Sequence, residues 1–254
     1  AKMDTISNNI ANANTPGFKK DTQLFKEYLT AYEKQPEVIE SPKVPAYINS
    51  SYPINCGDKR YADMNGTSTS YDQGALKLTG NPLDIGIEGD AFLEVNTPAG
   101  VRYTRNGHFT LNADGVVVNK QGYPLLLDGS DGQAPEDRFI QLSDQKNFTI
   151  TAKGDVFVDG ANQGKLSLLT ATEKDSLHKQ GNSLFTIKEN YENQMVEATN
   201  YKVDQGAFEQ SNVNIVKEMT EMINATRVFE STQKAIQTYD AMNQKLVNDV
   251  PRLR

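Results

Sequence analysis

Glu88, Asp90 and Glu94 fall at even spacing in one alternating segment, so a strand through them sets all three on one pleat face. Two carboxylates held a few ångströms apart are what glycoside hydrolysis requires, one to protonate the leaving group and one to attack or to activate water. Their alternation with Ile87, Ala91, Phe92 and Val95 reads more simply as the solvated face of a half-buried strand. Gly160-Ala161-Asn162-Gln163-Gly164-Lys165-Leu166 has the outline of a phosphate-cradling loop, but three residues rather than four separate its glycines. Leu166 also stands where the Mg²⁺-binding hydroxyl belongs, so the run reads as a hairpin. Asp128-Gly129-Ser130-Asp131-Gly132 has the oxygens of a calcium loop without the Glu at its twelfth position, and reads as a turn. His108 and His178 are the only histidines, with no cysteine near either, and no serine lies in a nucleophile elbow. The expectation is a protein that is not an enzyme, with no catalytic, cofactor-binding or metal-binding residues and no small-molecule substrate.

The elements that would position these residues are short strands. Ile85 to Val95, Tyr103 to Leu111, Val116 to Asn119, Tyr123 to Leu127, Phe148 to Ile150, Val156 to Val158, Lys165 to Thr170 and Leu184 to Ile187 alternate in hydrophobicity. Asp114-Gly115, Asp128-Gly129, Asp131-Gly132, Gly154-Asp155 and Asp159-Gly160 punctuate them, and such dipeptides supply the positive φ of tight hairpins. The spacing predicts an antiparallel β-rich domain over 76–208, a sandwich or an open barrel.

Before it, Asp21 to Lys34 reads as a weak helix or an extended arm. Residues 35–75, with Pro36, Pro42, Pro45 and Pro53 and a Gly/Ser/Thr run at 66–70, read as a linker. With helical segments at 1–34 and 209–254, the expected class is α+β, a β-rich middle flanked by terminal helices that form a coiled-coil-like core.

Composition narrows the partners. A net charge of -7 argues against nucleic acid, and no stretch approaches the ~20 apolar residues that a membrane-inserting helix needs. Cys56 is the only cysteine, so no intrachain disulfide is possible. No basic-then-apolar leader opens the chain, which begins with Ala1 rather than Met, and we expect further helix upstream.

The two ends carry the most specific patterns. Alternating steps of three and four from Ile215 reach Glu218, Met222, Ala225, Phe229, Thr232, Ile236, Tyr239, Asn243, Leu246 and Val250, and eight of these eleven are apolar or small. Ser211-Asn212 is the expected N-cap, and Pro251 the stop. Such a helix would be roughly 55 Å long, and its seam demands a cover from outside the middle domain. At the other end Met3, Ile6 and Ile10 make a helical stripe that Asn12 to Gly17 terminates, and a helix so short needs the C-terminal helix or a neighbouring subunit. The expected assembly interface is Ile6, Ile10, Met222, Ala225, Phe229, Ile236, Tyr239 and Leu246.

Four blocks in order carry a resemblance. Ser7-Asn8-Asn9-Ile10-Ala11-Asn12-Ala13-Asn14-Thr15-Pro16-Gly17-Phe18-Lys19 resembles the N-terminal signature of the bacterial flagellar rod and hook axial proteins. Asn81-Pro82-Leu83-Asp84-Ile85-Gly86-Ile87-Glu88-Gly89-Asp90-Ala91-Phe92-Leu93 is similar to that family's central strand entry. Tyr103 to Phe109 with Asn112 to Gly115, and Ser211 to Met219, are similar to its next hairpin and to the opening of its C-terminal helix. The resemblance implies a structural subunit of the basal-body rod, exported without a cleaved signal peptide and built into the periplasmic shaft. Its partners would be itself and other rod subunits in a helical hetero-assembly through paired terminal helices, with no cofactor. The passage 71–84 looks closer to the proximal rod subunits than to the distal ones. A distal rod or hook-like subunit is the nearest alternative. A periplasmic peptidoglycan-active enzyme, which lacks a preorganised acid or nucleophile here, and a carbohydrate-binding module, which leaves the long helical seam unexplained, are the alternatives of other classes.

Overall fold

The computed structural model describes residues 1–30, 59–129, 133–142, 148–188 and 195–249, with the backbone alone at 26–30, 59–65 and 246–249. These residues form two compact units, Ala1–Asp21 with Thr69–Arg254, and Thr22–Ser68. The described part of the smaller unit is a pair of strands, lying within Asp21–Thr30 and Lys59–Thr69, in which the Thr22 hydroxyl donates to Ser68 O at 3.2 Å. Asp21–Thr30 is strand and not part of an N-terminal helical segment, and the last part of the expected linker is strand as well. Pro36, Pro42, Pro45, Pro53 and Cys56 lie outside the described residues.

The larger unit carries a six-stranded antiparallel sheet in the order Leu177–Gly181, Leu184–Ile187, Gly100–Thr104, Phe92–Thr97, Leu168–Ala171, Met195–Glu197. Its strands alternate faces as a pleat must. Leu93 and Val95 point into the main core with Ile85, Ile87, Phe109, Val117, Leu125, Ile140, Val156, Leu166 and Val203. Phe92 and Phe185 form a second cluster with Ala171 and Leu177, and Tyr71 packs against it. Its rings meet edge-on or tilted, Phe92 to Phe185 at 5.6 Å and Tyr71 to Phe185 at 5.7 Å between centroids.

Short ladders extend the β structure: Tyr201–Gln205 on Ile85–Gly89, Ala207–Glu209 on Leu76–Leu78, and Phe148–Ile150, Asp155–Val158 and Ala161–Lys165 together. Asp159 and Gly160, at φ 51 and 79, make the two-residue turn between the last two strands, where the twist of the hairpin requires positive φ. The run that outlined a phosphate loop is this hairpin.

Two helices complete the unit, α1 over Lys2–Ala11 and α2 over Ile215–Asp249. The cap of α2 is Asn214, whose Oδ1 accepts from Lys217 N at 3.1 Å, and not the expected Ser211-Asn212. Inside α2, Thr220, Thr226, Thr232 and Thr238 each donate the hydroxyl to the carbonyl four residues earlier, at 2.8 to 2.9 Å.

The α+β expectation is corrected here. The fold is mainly β, 41% strand against 25% helix, with an antiparallel sheet curled into half a barrel, one short N-terminal helix and one C-terminal helix. The reason lies in what α2 covers. In an α+β domain helices bury a face on the sheet, whereas every described side chain of α2 from Arg227 to Lys245 is exposed. The long helix adds residues to the helical count without adding a layer to the core, and the strands set the class.

Candidate functional site

The catalytic candidates do not converge. Gly89, at φ +103, breaks the expected continuous strand between Glu88 and Glu94, so the three carboxylates leave their common face. Glu88 and Asp90 are exposed beside Lys202 and Lys174. Glu94 is buried, accepting from the Ser167 hydroxyl at 2.7 Å and from Arg138 Nη1 at 3.3 Å, which the alternation pattern did not foretell. His108 Nδ1 lies 2.7 Å from Asp84 Oδ1, while His178 is exposed on its own strand. Residues 130–132 of the calcium-like turn lie outside the described residues.

The ends of the chain do converge. Residues 13–20 form a strap across the body, with Ala13, Gly17, Phe18 and Lys19 all buried. Gly17 takes φ +65, and a Cβ there would stand 2.4 Å from the backbone of Arg105 and Asn106, so only glycine fits this crossing. Its N–H donates to Glu209 O at 2.8 Å. The Lys179 ammonium lies 3.8 Å from the centre of the Phe18 ring and donates to Lys19 O and Asp21 Oδ2.

Lys19 is fully buried, its ammonium 2.6 Å from Glu209 Oε1 and 2.8 Å from Asp72 O. Glu209 also accepts from Gly74 N at 2.7 Å and from Arg105 Nη1 at 3.4 Å, while the Arg105 guanidinium lies 4.8 Å over the Phe92 ring. Burial pulls the Lys19 pKa below its usual 10.5, opposed by Glu209, and burial lowers Arg105 in the same way. Nothing in spacing marks this network, because its acid and its lysine stand 190 residues apart.

The strap also holds the base of α2. Asn212 Oδ1 accepts from Lys20 N at 2.7 Å, and Asn212 Nδ2 donates to Ser70 O and Asp72 O. The Lys20 ammonium lies 2.6 Å from Glu218 Oε1, and Asn9 Nδ2 donates to Glu218 Oε2 at 3.3 Å. One turn further out, Lys2 meets Glu221 at 3.4 Å, so α1 runs antiparallel to α2.

Of the expected interface, Ile6 is buried and Ile10 half-buried on α1, while Met222 and Ala225 are half-buried near the base of α2. Phe229, Ile236 and Tyr239 are 62%, 57% and 67% exposed, and Leu246 lies in α2 with its side chain outside the described residues. At 100° per residue, Phe229 and Ile236 fall within roughly 40° of Glu218 and Ala225 around the axis. The side of α2 that is shielded at the base thus continues, uncovered, along the helix. No described helix is long and apolar enough to cross a membrane.

The comparisons with known proteins follow this anatomy. The family described as flagella basal body rod protein matches residues 1–19, the α1 and strap segment. The flagellar hook protein FlgE/F/G D1 domain matches 86–158 in the body, and the flagellar basal body rod FlgEFG protein C-terminal family matches 204–249, the last strands and α2. The chain is 34% identical to the flagellar basal-body rod protein FlgG of Bacillus subtilis (strain 168), covering 97% of this chain and 92% of that protein. It is 29% identical to the flagellar basal-body rod protein FlgF of Caulobacter vibrioides, over 99% and 93% of the two chains. It is 30% identical to the FlgG of Borreliella burgdorferi, over 94% and 89%. Relatives of both names cover it alike, so the proximal and distal types are not separated by these matches. A buried strap, an uncovered terminal helix and relatives aligned from end to end agree that this chain belongs to the flagellar basal-body rod proteins of the FlgF/FlgG type, structural subunits of the basal body that assemble with other axial subunits.

Proposed function

We propose that the chain polymerises through its terminal helices, with Ile6, Ile10, Met222, Ala225, Phe229, Ile236, Tyr239 and Leu246 as the contact between subunits and the β body turned outward. The observation that carries this reading is the side of α2 that is shielded at its base and left open at Phe229, Ile236 and Tyr239. Large aromatic and aliphatic side chains aligned along some 15 Å of a helix have little reason to remain in water. A second chain presenting the same pattern covers them by knobs-into-holes packing. The partners are copies of this chain and other rod subunits. No nucleic acid, inserted membrane or small-molecule substrate enters the function. The non-catalytic reading is supported by the fates of the candidate carboxylates, two exposed against lysines and one buried against Arg138.

Phe229→Asp with Ile236→Asp tests the seam by placing unpaired carboxylates in an apolar contact, at a cost of several kcal/mol per subunit. Rod completion and motility are expected to fail, while secretion and the melting of the β body stay as they were. Lys234→Asp, on another side of α2, is the tolerated control. Isolated basal bodies containing the double variant in a motile strain would rule out this surface.

A further inference from the structure

The strap touches both the body and the polar clasps at the base of α2. Beneath it, Gly17 crosses the Arg105 and Asn106 backbone, Phe18 is held by Lys179, and Lys19 enters the Glu209 and Arg105 network. Above it, Lys20 holds Asn212 through its N–H and Glu218 through its ammonium. Besides the strap, the direct ties of the α2 approach to the body are Gln210 N to Ala75 O and the two donations of Asn212 to the 70–72 segment. Glu209 closes the last strand six residues before α2 begins and accepts from groups on both sides of the strap crossing.

We propose that Glu209 is a coupling node: docking of residues 13–20 through Lys19 fixes the direction in which α2 leaves the β body, so the two ends of the chain become competent together. Two groups follow one another because they share a partner. With Lys19 seated on Glu209, its neighbour Lys20 holds both Asn212 and Glu218, and α2 has one direction. With the strap lifted, Glu209 keeps Arg105 and Gly74 N but Asn212 loses the Lys20 N–H, and Glu218 loses the Lys20 ammonium. The base of α2 then keeps only Gln210 N on Ala75 O, the two Asn212 donations and Asn9 on Glu218 among the ties described above, and it swings more widely about 213–214. Coupling between two sites is reciprocal, so loosening the base of α2 loosens the strap. The meaning of this for rod building rests on the reading above, whereas the coupling itself is a property of one chain in solution.

The test uses the monomer, with Cys56→Ser to remove the native thiol and spin labels at Lys120→Cys on the body and Asn224→Cys near the base of α2, both exposed sites. The parent should give one narrow distance distribution, and Lys19→Met should widen it by about twofold or more. Lys174→Met, which removes an equal charge from the exposed pair with Asp90, should leave it narrow. Gly17→Ala lifts the strap by a different route, through the backbone clash, and should widen it as Lys19→Met does; it decides alone if Lys19→Met loses cooperative melting of the body. In the reverse direction, Glu218→Ala should speed amide exchange at Gly17, whose own acceptor is Glu209 O. A parent already as broad as its variants, a narrow distribution in a cooperatively melting Lys19→Met or Gly17→Ala chain, or an unchanged Gly17 amide in Glu218→Ala overturns the proposal. A rod that proves to assemble through other surfaces leaves it standing.

Discussion

Asn9 in α1 and Glu218 in α2 are 1% and 2% exposed, and the Asn9 amide nitrogen donates to the Glu218 carboxylate at 3.3 Å. The same side chain also brackets Asp21, donating to its carbonyl at 2.9 Å and accepting from its N–H at 3.0 Å. A ten-residue helix has little stability of its own. Its place on α2 is set by this buried amide and by the burial of Ile6.

Asn9→Ala should detach α1 while leaving the body intact. It strands the backbone groups of Asp21 and one Glu218 oxygen, and orphaned buried groups of this kind cost about 1–3 kcal/mol each. Exchange of the α1 amides should accelerate accordingly, with the slowest amides of the six-stranded sheet unchanged.

Exchange along the chain should be uneven at each end. Gly17 and Lys20, whose N–H groups are bonded to Glu209 O and Asn212 Oδ1, should exchange slowly in the monomer. Amides of α2 beyond Arg227, with no described side chain buried, should exchange quickly. Protection along the whole of α2 in a proven monomer would count against an uncovered face.

Tyr71 and Tyr103 are each pushed up from 10.0 to about 12, chiefly by burial, with Asp21 and Glu94 respectively adding to it. A folded pKa above the unfolded one makes a contribution that is complete below pH 10 and lost as pH rises from 10 toward 12. Lys19 and Lys179 work the other way. Burial lowers their folded pKa below 10.5, so the unfolded chain holds more protons and their contribution grows with pH up to that value. Tyrosinate absorbance separates the two signs, since Tyr71 and Tyr103 should ionise late and together with unfolding. Tyr71→Phe should remove half of that late step.

Removing one partner of the buried Glu94 and Arg138 pair should be severe. Arg138→Met leaves Glu94 with the Ser167 hydroxyl alone, and a lone buried charge costs about 3–5 kcal/mol. The double variant Glu94→Leu with Arg138→Met should lose much less than the sum of the single losses, measured by urea unfolding of the whole chain.

These pairs show where the sequence was legible. The long helix was, because its period repeats over some five heptads, and so were the Asp-Gly turns, because positive φ has few suppliers. Glu94 was misread since an acid in an alternating strand looks solvated until Arg138, 44 residues away, is brought beside it. Lys19 carries a charge and follows the end of a helix, and nothing local distinguishes it from a surface lysine. The class was misjudged because a helix can be long without shielding a sheet. Phe229, Ile236 and Tyr239 could be placed on one stretch of α2 from the sequence because their spacing is periodic whether or not a cover is present.

The four threonines inside α2 bear on how the shaft would carry load. A hydroxyl that bonds the carbonyl four residues back competes with the main-chain ladder and softens the helix at that turn. The four recur every six residues, which at 100° per residue advances each by roughly 240° around the axis. Three successive threonines therefore face three directions about 120° apart, and the fourth returns to the first. Compliance distributed in this way has no preferred plane. Bending at one of them is not reinforced by the next, so α2 follows the curve of what it packs against without a fixed kink.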